Sequence, residues 1–377
     1  MDQLSFEPIE AEAPAAVIAV DRAIGDLRRG GVVVLADAAG GASLVLSCEY
    51  AGARRLARFD ALARAPAALV LTARRAAALG ITAGAGAVVA LALAAPADAA
   101  LVHDLSDPAA ARAAGTALPA PAAASARDGA AVELAKLASL LPAVVTKSLD
   151  RTAAANLGAW AAARGLLVVQ AADIDRHRRL APAALERISA ARVPLADAED
   201  TTIVAFRPVD GGAEHLAMVI GSPDPRAAVL ARIHSQCFTG DLLASLRCDC
   251  GDQLRGAIRA IAEAGGGVVL YLAQEGRGIG LVNKLRAYQL QDQGRDTFQA
   301  NEELGFDADE RHWRVAAEML RQLGFARVRL LTNNPEKIAG LRRAGIEVAE
   351  RVAHAVPANP HNRRYLAAKA ARGGHLL

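Results

Sequence analysis

Short apolar runs alternate with helix-period segments along much of this chain, and that alternation restricts it to a layered α/β architecture. Val20, Ala23, Ile24 and Leu27 share a helical face that Gly30-Gly31 ends, and Val32 to Leu35 then reads as a buried strand. The order continues with a helix around Val132 to Leu140 and a strand at Ala143 to Thr146. A helix near Ala153 to Ala163 and a strand at Leu166 to Val169 follow. Pro108 to Ala126, rich in Ala and Pro, reads as loop, and Arg176 to Pro194 as a basic, Pro-bounded connector. The longest uncharged run, Ala76 to Ala97, is interrupted by Gly80, Gly84, Gly86 and Pro96, so a buried strand plus loop is expected rather than a membrane span.

Beyond the connector, Gly, Asn, Gln, Asp and Arg become dense, and polar residues gather at the ends of apolar strands. Strands are predicted at Thr202 to Phe206, Leu216 to Ile220, Val229 to His234, Val268 to Ala273 and Val328 to Leu331. Helices are predicted at Asp252 to Ala264, Asn283 to Asp292, Glu310 to Leu323 and Pro335 to Ala344. The expectation is an α+β chain of two domains: an N-terminal α/β layer domain over 1–182 and a C-terminal mixed α/β domain over 186–377. A length of 377 residues, 53% of them apolar and 22% charged, allows two cores and excludes a disordered or collagen-like chain. The net charge of +3 argues neither for nor against nucleic acid. Lysine supplies five of the 43 basic residues; with abundant Ala this indicates a coding bias that weakens surface Arg as a functional clue.

The strongest local signal is Cys237-x10-Cys248-x-Cys250. Thiolates suit zinc, and three protein ligands leave a fourth position for water, whose pKa zinc lowers to about 7. The plainer alternative is three small core residues, but Arg247 and Asp249 beside the cysteines fit a site better. The clustering, with too few cysteines for a disulfide scaffold, suggests a reducing compartment; the acidic start, Met1 to Glu12, has no basic signal-peptide region, so a cytoplasmic protein is expected. Upstream, Arg232 and His234 fall on one strand face, where the Arg could hold phosphate or simply form a polar edge. Glu275, Gly276, Arg277, Gly278 and Gly280 follow a strand and open a helix, a setting for close backbone approach and anion binding, or an ordinary turn. Glu275 could accept from a guanine edge. Asp309 fits an N-cap, or a base paired with Arg311. Thr332 and Lys337 flank a strand–loop–helix start and could contact a nucleotide; ordinary capping and a solvated lysine are the alternative. Tyr288 shares a helical face with Leu281 and Leu285, which suggests core packing.

In order and spacing, RIHSQCFTGDLLASLRCDCGDQL, YLAQEGRGIGLVNKLRAYQLQDQGRDT, ANEELGFDADERHW and LLTNNPEKIAGL closely resemble the GTP cyclohydrolase II family, from Glu186 to Leu377. The resemblance implies zinc on Cys237, Cys248 and Cys250. It implies GTP contacts from Arg232, Ile233, His234, Ser235, Gln236, Gln253, Glu275, Gly276, Arg277, Thr297, Thr332 and Lys337. It also implies Asp309 as proton acceptor, Arg311 as nucleophile at the α-phosphate and Tyr288 near the reacting ring, with Mg²⁺ on the triphosphate. Gln236 stands where the family often has Glu. The implied reaction opens GTP to 2,5-diamino-6-ribosylamino-4(3H)-pyrimidinone 5′-phosphate, formate and pyrophosphate, the first step of riboflavin synthesis. The implied partner is GTP, in a homodimer, with neither nucleic acid nor membrane.

In element order, the first half is similar to 3,4-dihydroxy-2-butanone 4-phosphate synthase, through DRAIGDLRRGGVVVL, AVELAKLASLLPAVVT and LGAWAAARGLLVV. That family places an acidic loop after its first strand to bind Mg²⁺. Here the loop runs Asp37 to Ser43 with one carboxylate, too few for the metal, and Arg127-Asp128-Gly129 stands for the family's His-Thr-Glu segment. The expectation is a domain without synthase activity, in a structural or dimer-forming role.

Overall fold

The computed structural model describes residues 14–82, 86–110, 117–180, 184–374 and 376. The reading of Met1 to Glu12, and parts of the expected segments 76–97, 108–126 and 176–194, lie outside the described residues. The described chain forms two compact units, one of Pro14–Arg179 with Ile279–Glu310, the other of Leu180–Gly278 with Arg311–Leu377. Residues Ile279–Glu310 pack with Pro14–Arg179.

The first unit's seven strands are β1 (Val33–Ala36), β2 (Ala42–Ser47), β3 (Ala67–Thr72), β4 (Val88–Ala92), β5 (Pro121–Ala122), β6 (Ala143–Ser148) and β7 (Leu167–Gln170). They form one sheet in the order β5-β4-β3-β6-β2-β1-β7, antiparallel except for β1 with β7. Alternate strand residues enter two cores, Leu44, Leu46, Leu69 and Leu71 on one face and Val33, Leu35, Val45 and Val70 on the other. Burial on both faces explains why these strands read as continuous apolar runs. The helices Ala15–Arg28 and Ala126–Leu137 cover the second face with Val20, Ala23, Leu27, Val132 and Leu134.

Four local expectations are corrected. The helix predicted near Ala153 to Ala163 is two short helices, Arg151–Ala155 and Leu157–Ala162, divided at Asn156. The uncharged run 76–97 contains the end of a helix, Ala73–Ala78, before its strand. The connector is a helix, Ala171–Leu180, followed after undescribed residues by a strand, β8 (Leu185–Arg192). β8 is an edge strand that carries Arg187 and Arg192, and its pairing with β9 shifts register between Arg187 and Ser189. The helix predicted from Glu310 begins at Arg314, so Asp309 is not its N-cap; Trp313 is.

The second unit's sheet continues with β9 (Thr201–Pro208), β10 (His215–Ile220), β11 (Val229–Ser235), β12 (Gly267–Leu272), β13 (Arg327–Leu331) and β14 (Glu347–Val352), in the order β14-β13-β11-β12-β10-β9-β8. β12, β11, β13 and β14 are parallel neighbours, and the remaining pairs are antiparallel. The helix Cys250–Glu263 buries Ala257 and Ile261 against one face. The helices Arg314–Gln322 and Pro335–Arg343 bury Ala316, Met319, Leu320 and Leu341 against the other. Open sheets of this kind bind ligands beyond the carboxyl ends of their parallel strands. Here those ends carry Ser235 to Cys237, Gln274 to Arg277, Thr332 to Asn334 and His354. No described helix is long and apolar enough to cross a membrane.

Candidate active site

The chain leaves β11 into a loop that returns at the helix Cys250–Glu263, which brings Cys237, Cys248 and Cys250 together. Their sulfur atoms all lie within 4.8 Å of one another, and Cys237 Sγ is 3.7 Å from Cys248 Sγ. Tetrahedral zinc with Zn–S bonds of about 2.3 Å requires sulfurs roughly 3.8 Å apart, so the spacing fits such an ion. The thiols resist ionisation on their own: the hydrogen bond with Cys237 and burial push Cys248 up to about 11. Contact with the other two thiols and burial raise Cys250 well above the ordinary thiol value. A divalent cation would reverse that preference. Gly240 closes the cluster, since a Cβ there would lie 2.7 Å from Cys248 Sγ and 3.1 Å from Cys237 Sγ.

Beside the sulfurs is a buried network that the sequence did not disclose. His234 Nε2 lies 3.0 and 3.2 Å from the two carboxylate oxygens of Asp241. The Tyr271 hydroxyl and the Cys237 backbone N–H each donate to Asp241 Oδ2, at 2.9 Å. His234 and Tyr271 are register partners on β11 and β12, and their rings stack with centroids 5.6 Å apart. Burial pulls His234 below the ordinary histidine pKa although Asp241 opposes it, while burial and the Asp241 charge push Tyr271 up. The phenol therefore keeps its proton, and Asp241 holds the chain at Cys237 in place.

Three cationic groups lie close by. Arg232 donates to the Leu331 carbonyl at 3.0 Å and to Gln253 Oε1, and Gln253 in turn donates to Asp249. Burial lowers Arg232 to about 10, still charged at neutral pH, and its buried Nε has no hydrogen-bond partner among the described residues. Lys337, buried in the first turn of its helix, donates to the Ile233 carbonyl at 2.7 Å. Arg311 donates to Ser235 Oγ at 3.3 Å. Both Lys337 and Arg311 lie over the Trp313 ring, 5.5 and 4.7 Å from its centroid.

The remaining predicted residues are placed as follows. Gln236 donates its backbone N–H to Leu272, and the Thr332 hydroxyl accepts from Asn334 N at 3.0 Å, within the loop before the helix Pro335–Arg343. Glu275 receives the Phe238 N–H at 2.6 Å and the Gly276 N–H at 2.9 Å, tying the β12 loop to the cysteine loop. Gly276 and Arg277 both have φ of 63°, a conformation costly for an arginine. Arg232, His234, Ser235, Gln253, Glu275, Arg311, Thr332, Lys337 and the three cysteines thus belong to one unit. Tyr288, Thr297 and Asp309 belong to the other. Tyr288 is half-buried on the helix Leu281–Asp292, whose buried residues are Asn283, Lys284, Ala287 and Leu290, with the Lys284 ammonium 5.7 Å from the Tyr288 ring centroid. Its neighbour Leu285 is exposed, so core packing is not its setting.

The GTP cyclohydrolase II family model matches residues 186–353. A GTP cyclohydrolase-2 from Azospirillum brasilense is 53% identical over 379 residues, 98% of this chain and 97% of its own length. One from Hahella chejuensis is 58% identical over 172 residues, 46% of this chain and 83% of its own. One from Enterobacter sp. is 53% identical over 193 residues, 51% of this chain and 98% of its own. A solved two-domain 3,4-dihydroxy-2-butanone 4-phosphate synthase from A. baumannii aligns over 89% of this chain and 99% of its own, with TM-score 0.35 and 18% identity, too remote to carry an argument. Two sheet-based α/β units, with a polar site at the ends of parallel strands, and these relatives define a hydrolase. The chain belongs to the GTP cyclohydrolase II family.

Proposed function

We propose that the protein is a zinc-dependent, cytoplasmic, homodimeric GTP cyclohydrolase II. It opens GTP to 2,5-diamino-6-ribosylamino-4(3H)-pyrimidinone 5′-phosphate, formate and pyrophosphate, the first step of riboflavin synthesis. The observation that carries this reading is the trio of sulfurs at zinc spacing beside Arg232, Arg311 and Lys337 in a member of this family. Cys237, Cys248 and Cys250 would hold zinc, which supplies activated water at neutral pH for attack on the guanine ring. Asp241 fixes the cysteine loop and His234 together. Arg232, Arg277 and Lys337 bind phosphate charge, and Mg²⁺ offsets the rest. Trp313 and Ser235 hold the Arg311 guanidinium for the α-phosphate; its nucleophilic role is carried over from the family resemblance. Gln236, Gln253, Glu275, Gly276, Thr297 and Thr332 are assigned to nucleotide contacts, Asp309 to proton acceptance and Tyr288 to the reacting ring on the same ground.

The N-terminal half is proposed to have no butanone phosphate synthase activity. The Asp37 carboxylate is already engaged by the backbone N–H groups of Gly41 (2.9 Å) and Ala39 (3.0 Å) and by Arg127. These hydrogen bonds hold its pKa below the usual value. Asp128 serves a helix cap, receiving the Ser125 N–H at 2.6 Å and hydroxyl at 2.9 Å. Neither carboxylate is disposed to a metal.

Incubation with Zn²⁺, Mg²⁺ and GTP, with product identification by mass spectrometry, tests the main reading. Formate, pyrophosphate and the diaminopyrimidine are expected; GMP as the sole product would overturn it. Ribulose 5-phosphate with Mg²⁺ should yield no butanone phosphate.

A further inference from the structure

Residues Ile279–Glu310 lie inside the family region 186–353, yet they form one compact unit with the N-terminal half. Apolar packing accounts for part of this: Ile279, Ala287, Leu290, Ala300, Leu304 and Phe306 cluster with Leu141. Ion pairs add to it. Arg286 donates to Glu49 and Asp107, both at 3.0 Å, and Arg74 to Asp307 at 2.9 Å.

Lys136 stands out within this set. It projects from the helix Ala126–Leu137, its side chain only 12% exposed, and its ammonium lies 3.0 Å from Glu310, 3.5 Å from Asp307 and 3.4 Å from Glu133. Glu310 Oε1 also accepts the Asp307 backbone N–H at 2.8 Å. One cation therefore closes both ends of the turn Asp307–Glu310, and Asp309 sits inside that turn. Burial pulls the Lys136 pKa down, but Glu310, Glu133 and Asp307 outweigh it and keep the ammonium charged. The Enterobacter relative is covered over 98% of its length by 51% of this chain, so an N-terminal half is an addition to an otherwise complete family member.

We infer that Lys136 is a positioning residue for GTP ring opening: from the N-terminal half it fixes the turn that presents Asp309. This rests on the reading of Asp309 as proton acceptor. A catalytic group displaced by about 1 Å can lose up to about a hundred-fold in rate, so the orientation of this turn is the quantity at stake.

The test uses the full chain and follows formate release from GTP. Lys136→Met is expected to lower kcat by about ten-fold or more, with KM for GTP within about two-fold and zinc content unchanged. Lys136→Arg, which keeps the charge, should recover most of the rate. Lys147 is a control in the same unit: buried, it pairs with Asp60 at 2.8 Å and donates to the Ala63 carbonyl at 3.1 Å, so its polar partners lie outside Ile279–Glu310. Lys147→Met should lower the melting temperature and leave kcat alone. If Lys136→Met does not fold, Arg74→Leu decides the matter, since Arg74 is half exposed and grips the same Asp307; a loss of about three-fold in kcat is expected. Parental kcat in the folded Lys136→Met variant, or kcat losses that merely track melting temperature across all variants, overturns the proposal while the GTP reading stands. A parent enzyme that does not open GTP overturns both.

Discussion

The Arg311 guanidinium lies over the Trp313 indole, 4.7 Å from its centroid, and that stack depends on Gly340. A Cβ at Gly340 would fall 2.2 Å from Trp313 Cδ1 and 2.6 Å from its Cγ. The helix Pro335–Arg343 can approach the indole only through a residue without a side chain. Gly340→Ala should displace Trp313, which supports Lys337 as well as Arg311. Overpacking of this kind costs about 3 kcal/mol. The expected outcome is a lower melting temperature and a fall in kcat/KM larger than the instability explains, measured well below the transition.

Gly240 has the corresponding role at the sulfurs. Gly240→Ala would put a methyl group 2.7 Å from Cys248 Sγ and 3.0 Å from Cys250 Cβ, so the sulfur triangle must open. The variant should fold but retain much less zinc after dialysis. Metal analysis against the parent checks this; equal retention would show that the loop yields without disturbing the cluster.

Asp241 receives three donors, from His234, Tyr271 and the Cys237 backbone. Asn in its place offers one acceptor oxygen and turns an N–H group toward one of those donors. A buried donor left without an acceptor costs about 1–3 kcal/mol. Asp241→Asn should therefore lower stability by about 2 kcal/mol, read by urea unfolding, and weaken zinc binding through the freed Cys237 loop.

The pH dependence of the Lys136 clamp has a definite sign. The Lys136 pKa is raised in the folded chain, so its contribution is full below the ordinary lysine value of about 10.4 and is lost as pH climbs through the folded one. Asp307 is lowered: burial raises it, but Lys136 and Arg74 outweigh that. Its contribution is full above the ordinary aspartate value of about 3.9 and is lost as pH falls through the folded one. The melting-temperature gap between parent and Lys136→Met should be flat from about pH 5 to about pH 9 and shrink on both sides. A gap that grows toward acid would contradict the pairing.

The cysteine trio was legible because its three members are close in sequence and chemically distinctive. The second sheet was nearly as legible, since Val229–Ile233 and Val268–Leu272 are largely apolar stretches followed by polar residues. Asp241 was not, because its partner Tyr271 reaches His234 only through the register of two strands. The late start of the helix Arg314–Gln322 was hidden by Asp309 and Glu310, which read as an acidic cap but serve a turn closed by Lys136. The attachment of Ile279–Glu310 to the N-terminal half depends on ion pairs such as Glu49–Arg286, which no local pattern announces. In the first half, Ala dilutes the periodicity, so β2 and β3 went unpredicted although both are almost wholly buried.

Zinc content measured together with formate release, on the parent and on Cys248→Ser, tests the central claim most directly. The parent should purify with near-stoichiometric zinc and open the guanine ring, and the serine variant should lose the metal and the formate while still binding GTP. Undiminished formate release from a zinc-free Cys248→Ser protein would contradict it.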